Sequence, residues 1–216
     1  MILFLKVHGD SGMKLYRLVA SEEGPKRLFV GGLHGDEGKY TAPILERLAK
    51  EKLNAGEATI VPSLVENGEY IGVLTEAYYR SKAGMDLLQL IHDYKPSHYF
   101  ELHAYGEHSY AKLTDSERVN KIGVPNFVDF CDGVLIGSIA PILRRKFAVH
   151  DFCITIEVPK WQIKKIKEKV HAILMIWLMQ TNRDGIMREF RLRYPAQTKL
   201  AETLFYQYYH NLLNPF

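Results

Sequence analysis

The most informative segment of the chain reads Val30-Gly31-Gly32-Leu33-His34-Gly35-Asp36-Glu37-Gly38. It connects a short apolar run over Arg27–Val30, which predicts a strand, to a glycine-rich turn. The turn presents an imidazole and a carboxylate three residues apart, at His34 and Glu37. Histidine nitrogen and glutamate oxygen both bind zinc, at about 2.0–2.2 Å, so the pair can converge on one cation.

A glycine-rich turn after a strand also suggests a phosphate-binding loop. Asp36 and Glu37 stand where an incoming phosphate would need hydrogen-bond donors, and the segment carries no Lys-Ser or Lys-Thr pair. Charge therefore favours a cation site over a phosphate site.

A second segment, Tyr99-Phe100-Glu101-Leu102-His103, closes a predicted strand over Ser97–His103. Strand alternation puts its three odd-numbered side chains on one face and the two apolar even-numbered ones on the other. The polar face therefore ends in His103, a candidate third ligand. Glu101 is better suited to orient a ligand than to bind the metal directly.

A third segment, Phe152-Cys153-Ile154-Thr155-Ile156-Glu157-Val158-Pro159, places one carboxylate in an apolar strand. Burying a carboxylate costs free energy unless it is paired or hydrated. Glu157 is therefore either a catalytic carboxylate or the partner of a buried cation.

These three segments together resemble the zinc carboxypeptidase superfamily, and within it the aspartoacylase and succinylglutamate desuccinylase branch. Its members carry His-x-x-Glu after a glycine-rich strand end, then a strand ending in acidic-Leu-His, then a strand ending in a catalytic Glu. The matching residues here are His34 with Glu37, Glu101-Leu102-His103, and Glu157. The resemblance covers about residues 27–160, and it extends more loosely to an uncharacterised archaeal family within the superfamily.

The resemblance implies that His34, Glu37 and His103 bind one zinc ion and leave a position for water. It further implies that Glu157 is the general base of a hydrolase acting on an amide bond, in a small N-acyl amino acid or a short peptide. Tyr105 and His108 follow the third candidate ligand closely in the sequence, so either side chain could contact a substrate.

The chain departs from the family pattern in its cationic residues. Family members carry an Asn-Arg pair and a separate Arg between the first and third ligands, where this chain has no Asn-Arg pair. Arg80 is the only arginine between residues 48 and 102 and is the predicted catalytic, anion-binding residue, although an ordinary surface arginine fits equally well. The missing pair also leaves open a non-catalytic metal-binding or regulatory module on the same fold.

The alternation of strands with helices predicts an α/β fold: a sandwich with a central mixed β-sheet flanked by helices, carboxypeptidase-like by resemblance. The length of 216 residues predicts one domain over residues 1–216, with a motif-bearing core at about 27–160 and a helical segment at about 161–216. The remaining predicted strands are Ile2–Val7, Lys14–Ala20 (joined to the first by a turn at Gly9–Gly12), Ala58–Pro62, Gly133–Ile136 and Phe152–Val158. The predicted helices are Thr41–Leu53, Asp86–Tyr94, Trp161–Gln180 and Thr198–Leu213.

The charge and the apolar content of the chain argue against nucleic-acid and membrane partners. The formal net charge is only +3, but residues 160–193 hold nine basic residues against three acidic ones. A solvated helix face explains this excess better than a nucleic-acid surface, which would bind with strong salt dependence. The sequence lacks a signal-peptide pattern and a membrane-length apolar run. We therefore expect a cytoplasmic protein with a small-molecule or short-peptide partner.

Other reactive side chains have weaker patterns around them. Cys131 and Cys153 are predicted to be free thiols, and Cys153 near His150 makes a weak case for a thiol nucleophile. Ser138 lacks the second glycine of a nucleophile elbow. The remaining histidines are predicted to be structural: His8, His92, His98, His108, His150, His171 and His210.

Overall fold

One mixed β-sheet organises the described part of the chain. A computed structural model describes residues 2–4, as backbone, together with residues 13–210 and 212–213. The strands are β1 (Ile2–Phe4), β2 (Tyr16–Val19), β3 (Glu22–Gly31), β4 (Ala55–Val61), β5 (His98–Tyr105), β6 (Val128–Cys131), β7 (Val134–Gly137) and β8 (Phe152–Pro159). Across the sheet their order is β1-β2-β4-β3-β5-β8-β7-β6.

The centre of the sheet is parallel and its two sides are antiparallel. Strand β3 pairs in parallel with β4 and β5, and β5 pairs in parallel with β8. The outer strands pair antiparallel. The carboxyl ends of the parallel strands meet at one edge, where ligands bind in open α/β sheets. The three motif-bearing segments all end at this edge, and the predicted mixed sheet is confirmed.

Helices cover both faces of the sheet, as predicted. In chain order they are α1 (Gly38–Leu48), α2 (Glu76–Arg80), α3 (Lys82–Tyr94), α4 (Tyr110–Leu113), α5 (Arg118–Ile122), α6 (Pro141–Arg144), α7 (Ile163–Met179), α8 (Arg183–Arg193) and α9 (Pro195–Tyr208). Helices α1, α7, α8 and α9 share one apolar core with the sheet, and α2, α3 and α6 share a second core on the opposite face. Two short 3₁₀ turns, Glu107–Ser109 and Lys160–Gln162, follow β5 and β8.

Alternation along β5 and β8 sorts their side chains between the two cores. Phe100 and Ile154 lie in the first core, while Tyr99 and Cys153 lie in the second. The ring of Phe100 stacks on Trp177 of α7 with centroids 4.6 Å apart. Burying a large apolar side chain fully contributes roughly 1.5–3 kcal/mol, so these contacts hold the central strands between the helix layers.

The boundaries of several elements differ from the prediction. Helix α1 begins at Gly38 instead of Thr41, because the Glu37 carbonyl oxygen accepts hydrogen bonds from the amides of Tyr40 and Thr41 and so starts the helix. It ends at Leu48, five residues before the predicted end. Strand β6 was not predicted at all. Strand β1 pairs with β2 as the predicted hairpin requires, but the predicted turn at Gly9–Gly12 lies outside the described residues.

The two cysteines are free and lie on opposite faces of the sheet. Cys131 packs against the first core, and Cys153 is buried in the second. The sheet between them excludes a disulfide. Across residues 13–210, no helix is long and apolar enough to cross a membrane.

Candidate metal centre

The structure brings together the three residues that the sequence predicts as metal ligands. His34, Glu37 and His103 each direct one ligand atom to a common space, and these atoms all lie within 4.8 Å of one another. His34 Nδ1 lies 3.6 Å from Glu37 Oε1, and His103 Nδ1 lies 3.2 Å from Glu37 Oε2. All three side chains are buried. In the described ranges, no other group of three such side chains converges in this way.

The conformation of the turn after β3 depends on two glycines. Gly32 and Gly35 have φ angles of +55° and +60°, in the left-handed region that side chains disfavour. A Cβ on Gly32 would lie 2.3 Å from Ser63 Oγ, so a larger residue would also clash. The turn then leads directly into α1, which fixes the backbone of Glu37 at the first turn of the helix.

Glu101 lies behind His103, the third candidate ligand. His103 Nε2 lies 3.6 Å from Glu101 Oε1, while its Nδ1 faces Glu37. Glu101 accepts hydrogen bonds from the hydroxyls of Tyr99, at 3.0 Å, and Thr155, at 2.6 Å. A carboxylate behind a ligand histidine orients the ring and raises its basicity. This arrangement supports the orienting role predicted for Glu101, whereas sequence reasoning missed Tyr99 and Thr155.

The surroundings of the two histidines shift their pKa values in opposite directions. Burial, followed by the charge of His103, lowers the pKa of His34 to about 4, so its ring is neutral at pH 7. Burial alone would lower the pKa of His103 as well, but the carboxylates of Glu37, Glu101 and Glu157 outweigh it and hold that pKa well above its ordinary value. His34 Nδ1 is buried and has no hydrogen-bond partner among the residues that the structure describes. A metal ion between His34, Glu37 and His103 would satisfy this nitrogen, and the donor set fits zinc.

Glu157 lies beside the metal centre on the neighbouring strand. It is the register partner of His103 between β8 and β5, and it is not one of the three converging ligands. Burial, with the charges of Glu37 and Glu101, raises the pKa of Glu157 to about 7 against the opposing effects of His103 and Arg118. A carboxyl group of this kind changes protonation state near neutral pH.

A cleft of about 690 Å³ opens onto the metal centre and onto Glu157. Its polar lining includes the three ligand candidates, Glu157, Arg118 and Lys160. Its apolar lining includes Leu113, Val124, Phe127 and Ile139. Tyr105 and His108 also line it, as does Tyr70, whose ring meets the edge of His34 with centroids 4.5 Å apart. The cleft therefore combines one reactive polar region with an apolar wall.

The structure does not bring Arg80 to this cleft. Arg80 is exposed at the end of α2, whose buried side chains are those of Tyr78 and Tyr79. Because those two tyrosines occupy the inward face of a five-residue helix, Arg80 projects to solvent. Arg80 therefore lies outside this cleft, and its anion-binding role stays a prediction.

Arg118, which sequence reasoning missed, lies in the cleft instead. Only 9% of it is exposed, and it donates a hydrogen bond from Nη1 to the Pro125 carbonyl oxygen at 2.5 Å. Its guanidinium carbon lies 5.1 Å from the centroid of the Phe127 ring. Burial lowers the pKa of Arg118, and the charge of the Glu157 carboxylate opposes that shift. Among the described residues, no carboxylate oxygen is within ion-pair distance of the guanidinium. No local pattern distinguishes Arg118, because its position depends on how residues 106–127 fold back over the cleft.

Two weaker alternatives from the sequence find no matching geometry. Cys153 is buried in the second core, and burial raises the pKa of its thiol. His150 is exposed and faces Asp151, at 3.8 Å. These placements give no thiol–imidazole pair. Ser138 lines the cleft.

Comparison with known proteins places the chain in a family. Residues 22–210 match the family described as an uncharacterized protein conserved in archaea, DUF2119. The chain belongs to this archaeal family. An uncharacterized protein of Methanocaldococcus jannaschii, MJ0501, is 43% identical over 182 residues, which cover 83% of this chain and 89% of that protein.

Two solved structures show a weaker similarity to this DUF2119 chain. An aspartoacylase family protein from Mesorhizobium loti is 15% identical with a TM-score of 0.47, over 78% of this chain and 62% of its own. A metallo-carboxypeptidase from Pseudomonas aeruginosa, in complex with (2-guanidinoethylmercapto)succinic acid, is 13% identical with a TM-score of 0.47, over 86% and 64%. The chain thus spans less than two thirds of either protein.

Proposed function

We propose that this protein is a zinc-dependent hydrolase that cleaves the amide bond of a small N-acyl amino acid or a short peptide. The observation that carries the proposal is the convergence of His34, Glu37 and His103 within 4.8 Å beside a cleft. Two imidazoles and one carboxylate form a donor set that catalytic zinc sites use, with a remaining position for water or substrate.

The three ligands hold the ion from two elements of the fold. His34 and Glu37 come from the turn after β3, and His103 comes from β5, where Glu101 orients it. Zinc bound there supplies an acidified water molecule and a Lewis acid for a carbonyl oxygen. Imidazole and carboxylate ligands also suit other first-row metals, among them iron and manganese. Zinc is the ion that we propose among them.

Glu157 moves the proton. It lines the cleft beside His103, outside the group of ligand atoms. Its carboxylate takes a proton from water as the water oxygen attacks the carbonyl carbon. It then donates that proton to the amine nitrogen as the C–N bond breaks. The products are a carboxylic acid and an amine, and water is the only second reactant.

Arg118 binds the anionic part of the substrate. A buried guanidinium without an ion-pair partner favours a carboxylate ligand, which it can hold in bidentate fashion. Phe127 and Leu113 of the same cleft favour an apolar group near that carboxylate. The preferred substrate is therefore an N-acyl amino acid with one free carboxylate and an apolar side chain.

The test is turnover by purified protein loaded with one equivalent of zinc. A panel of N-acyl amino acids and dipeptides is incubated with the protein, and the released amine is quantified. We expect turnover that a chelator abolishes and added zinc restores. His34→Ala should lose both zinc and turnover, while His150→Gln, at an exposed histidine outside the cleft, should retain both.

The same experiment separates the rival assignments. Zinc bound through these residues without turnover of any panel member would favour the non-catalytic binding or regulatory module. Unchanged zinc content in His34→Ala would contradict the metal centre itself.

A further inference from the structure

An ion pair between Lys160 and Asp36 joins two parts of the cleft that come from distant points of the chain. Lys160 Nζ lies 2.7 Å from Asp36 Oδ1, and both residues line the cleft. Asp36 directly precedes the ligand Glu37, and Lys160 begins the 3₁₀ turn that follows β8, the strand of Glu157. Strand β5 separates β3 from β8 in the sheet, so the contact spans the strand that carries His103.

The β-ladder fixes only one side of the metal centre. Backbone pairing between β5 and β8 sets His103 against Glu157. The turn that carries Glu37 lies beyond Gly31, the last residue of β3, and includes the positive-φ glycines Gly32 and Gly35. Glycine-rich backbone has more conformational freedom than other sequences. Backbone hydrogen bonds from Leu64, Val65 and Gly68 hold the turn against the segment after β4. Its connection to the end of β8 is the side-chain contact between Lys160 and Asp36.

Lys160 is itself held in a defined position. Its ammonium lies 5.2 Å from the centroid of the Tyr40 ring, a favourable cation–π distance, and Tyr40 lies in the first turn of α1. Lys160 thus contacts both the turn that bears Glu37 and the helix that follows it. One side chain connects the end of β8 to the whole turn–helix unit.

We infer that Asp36 and Lys160 are positioning residues that hold the Glu37 turn against the end of β8, so that the metal ligands and Glu157 face the same space. The inference rests on the proposed function, because it requires a metal held by Glu37. The pair is partly exposed, with 27% of the Lys160 side chain and 46% of the Asp36 side chain accessible. Exposed ion pairs contribute little to global stability, so the effect should fall on the site.

Lys160→Met gives a sharp test, because simple electrostatics and positioning predict opposite results. Removing a positive charge near a cation site strengthens metal binding by electrostatics alone. Loss of a positioning contact weakens it, by about 10-fold on the scale of other supporting contacts around metal ligands. The readout is the zinc dissociation constant of the metal-free full-length chain, titrated against a chelator of known affinity, together with its thermal midpoint.

We expect about 10-fold weaker zinc binding in Lys160→Met, with the thermal midpoint of the metal-free protein nearly unchanged. Lys160→Arg, which keeps the charge, should bind like the wild type, and the exchanged pair D36K/K160D should recover part of the loss. Lys82→Met removes a comparable exposed pair with Asp86 on α3 and should leave zinc binding unchanged.

Unchanged or tighter zinc binding in Lys160→Met would overturn the inference alone. Weaker zinc binding together with a clearly lowered thermal midpoint of the metal-free protein would also overturn it, because the variant would then be destabilised as a whole. A wild-type chain that binds no zinc would overturn the proposed function together with the inference. The failures of the two proposals are therefore distinguishable.

Discussion

His103 and Glu157 are register partners on the adjacent parallel strands β5 and β8. Side chains of register partners project to the same face of a sheet. The pairing therefore places the candidate ligand His103 beside the carboxylate of Glu157, which is outside the ligand group. Behind them on the same face, Thr155 donates a hydrogen bond to Glu101 at 2.6 Å. The relative positions of His103, Glu157 and Glu101 thus follow from strand register rather than from loop conformation.

Glu157→Gln should lower kcat by about 10²–10⁴-fold, because the amide cannot take the proton from water. Its zinc content and thermal midpoint should match those of the wild type, since Glu157 lies outside the ligand group. Steady-state kinetics and metal analysis on the same preparation check both expectations. Loss of zinc in this variant would instead identify Glu157 as a ligand.

Arg118→Gln should raise KM for carboxylate-bearing substrates by roughly 10–100-fold, the scale of a lost charge-assisted hydrogen bond. The loss should shrink for analogues in which that carboxylate is amidated, because the guanidinium no longer has an anion to bind. Arg80→Gln should change KM less than 2-fold, since Arg80 is exposed outside the cleft. A larger effect at Arg80 than at Arg118 would favour the anion-binding role that the sequence predicts for Arg80.

Glu101→Gln should weaken zinc binding by about 10–100-fold while the protein stays folded. The glutamine amide is neutral, so it no longer places a negative charge beside His103. It also has only one oxygen to accept the two hydrogen bonds that Tyr99 and Thr155 donate to Glu101. Competition titration of the metal-free protein measures the change. Thr155→Val, which removes one donor only, should have a smaller effect. Equal zinc affinity in Glu101→Gln and wild type would show that this carboxylate does not support the ligand.

His98 predicts an acid-sensitive component of stability. Burial, and next the charge of Arg27, lower the pKa of His98 to about 4 from 6.5. The unfolded chain therefore binds the proton more readily, so this contribution is complete above pH 6.5 and is lost as the pH falls towards 4. The loss amounts to at most about 3 kcal/mol in the free energy of unfolding.

His98→Phe should remove that component, because the ring lies among Phe100 and Phe152 and the replacement does not titrate. Urea unfolding between pH 7 and pH 4.5 should show a flatter decline than in the wild type. His150→Gln, at a histidine whose side chain is 83% exposed, should follow the wild-type curve. Parallel curves for His98→Phe and wild type would rule out this source of acid sensitivity.

The fold was predictable from the sequence where the alternation of polar and apolar residues follows the two faces of a strand. Strands β5 and β8 alternate polar and apolar residues because their two faces meet different surroundings, and the predicted faces are confirmed by Phe100 and Tyr99 in separate cores. The start of α1 was not predictable in the same way. It depends on Glu37 accepting the first helical hydrogen bonds, and glutamate is not a residue that typically marks a helix start.

The arginine that lines the cleft could not be predicted from the residues around it in the sequence. Arg80 and Arg118 each begin or end a five-residue helix, and which one faces the cleft depends on tertiary packing. Tyr78 and Tyr79 take the inward positions of the first helix, whereas Phe127 and Pro125 hold Arg118 in the cleft. The contact between Asp36 and Lys160 likewise depends on strand order, which sequence reasoning did not predict.

The decisive measurement is a crystal structure of the zinc-loaded protein, with anomalous diffraction recorded on both sides of the zinc absorption edge. We expect one zinc ion per chain, bound by His34 Nδ1, a Glu37 carboxylate oxygen and His103 Nδ1, with a remaining position open to the cleft. An ion bound elsewhere, or a fourth protein ligand that closes the site, would contradict it.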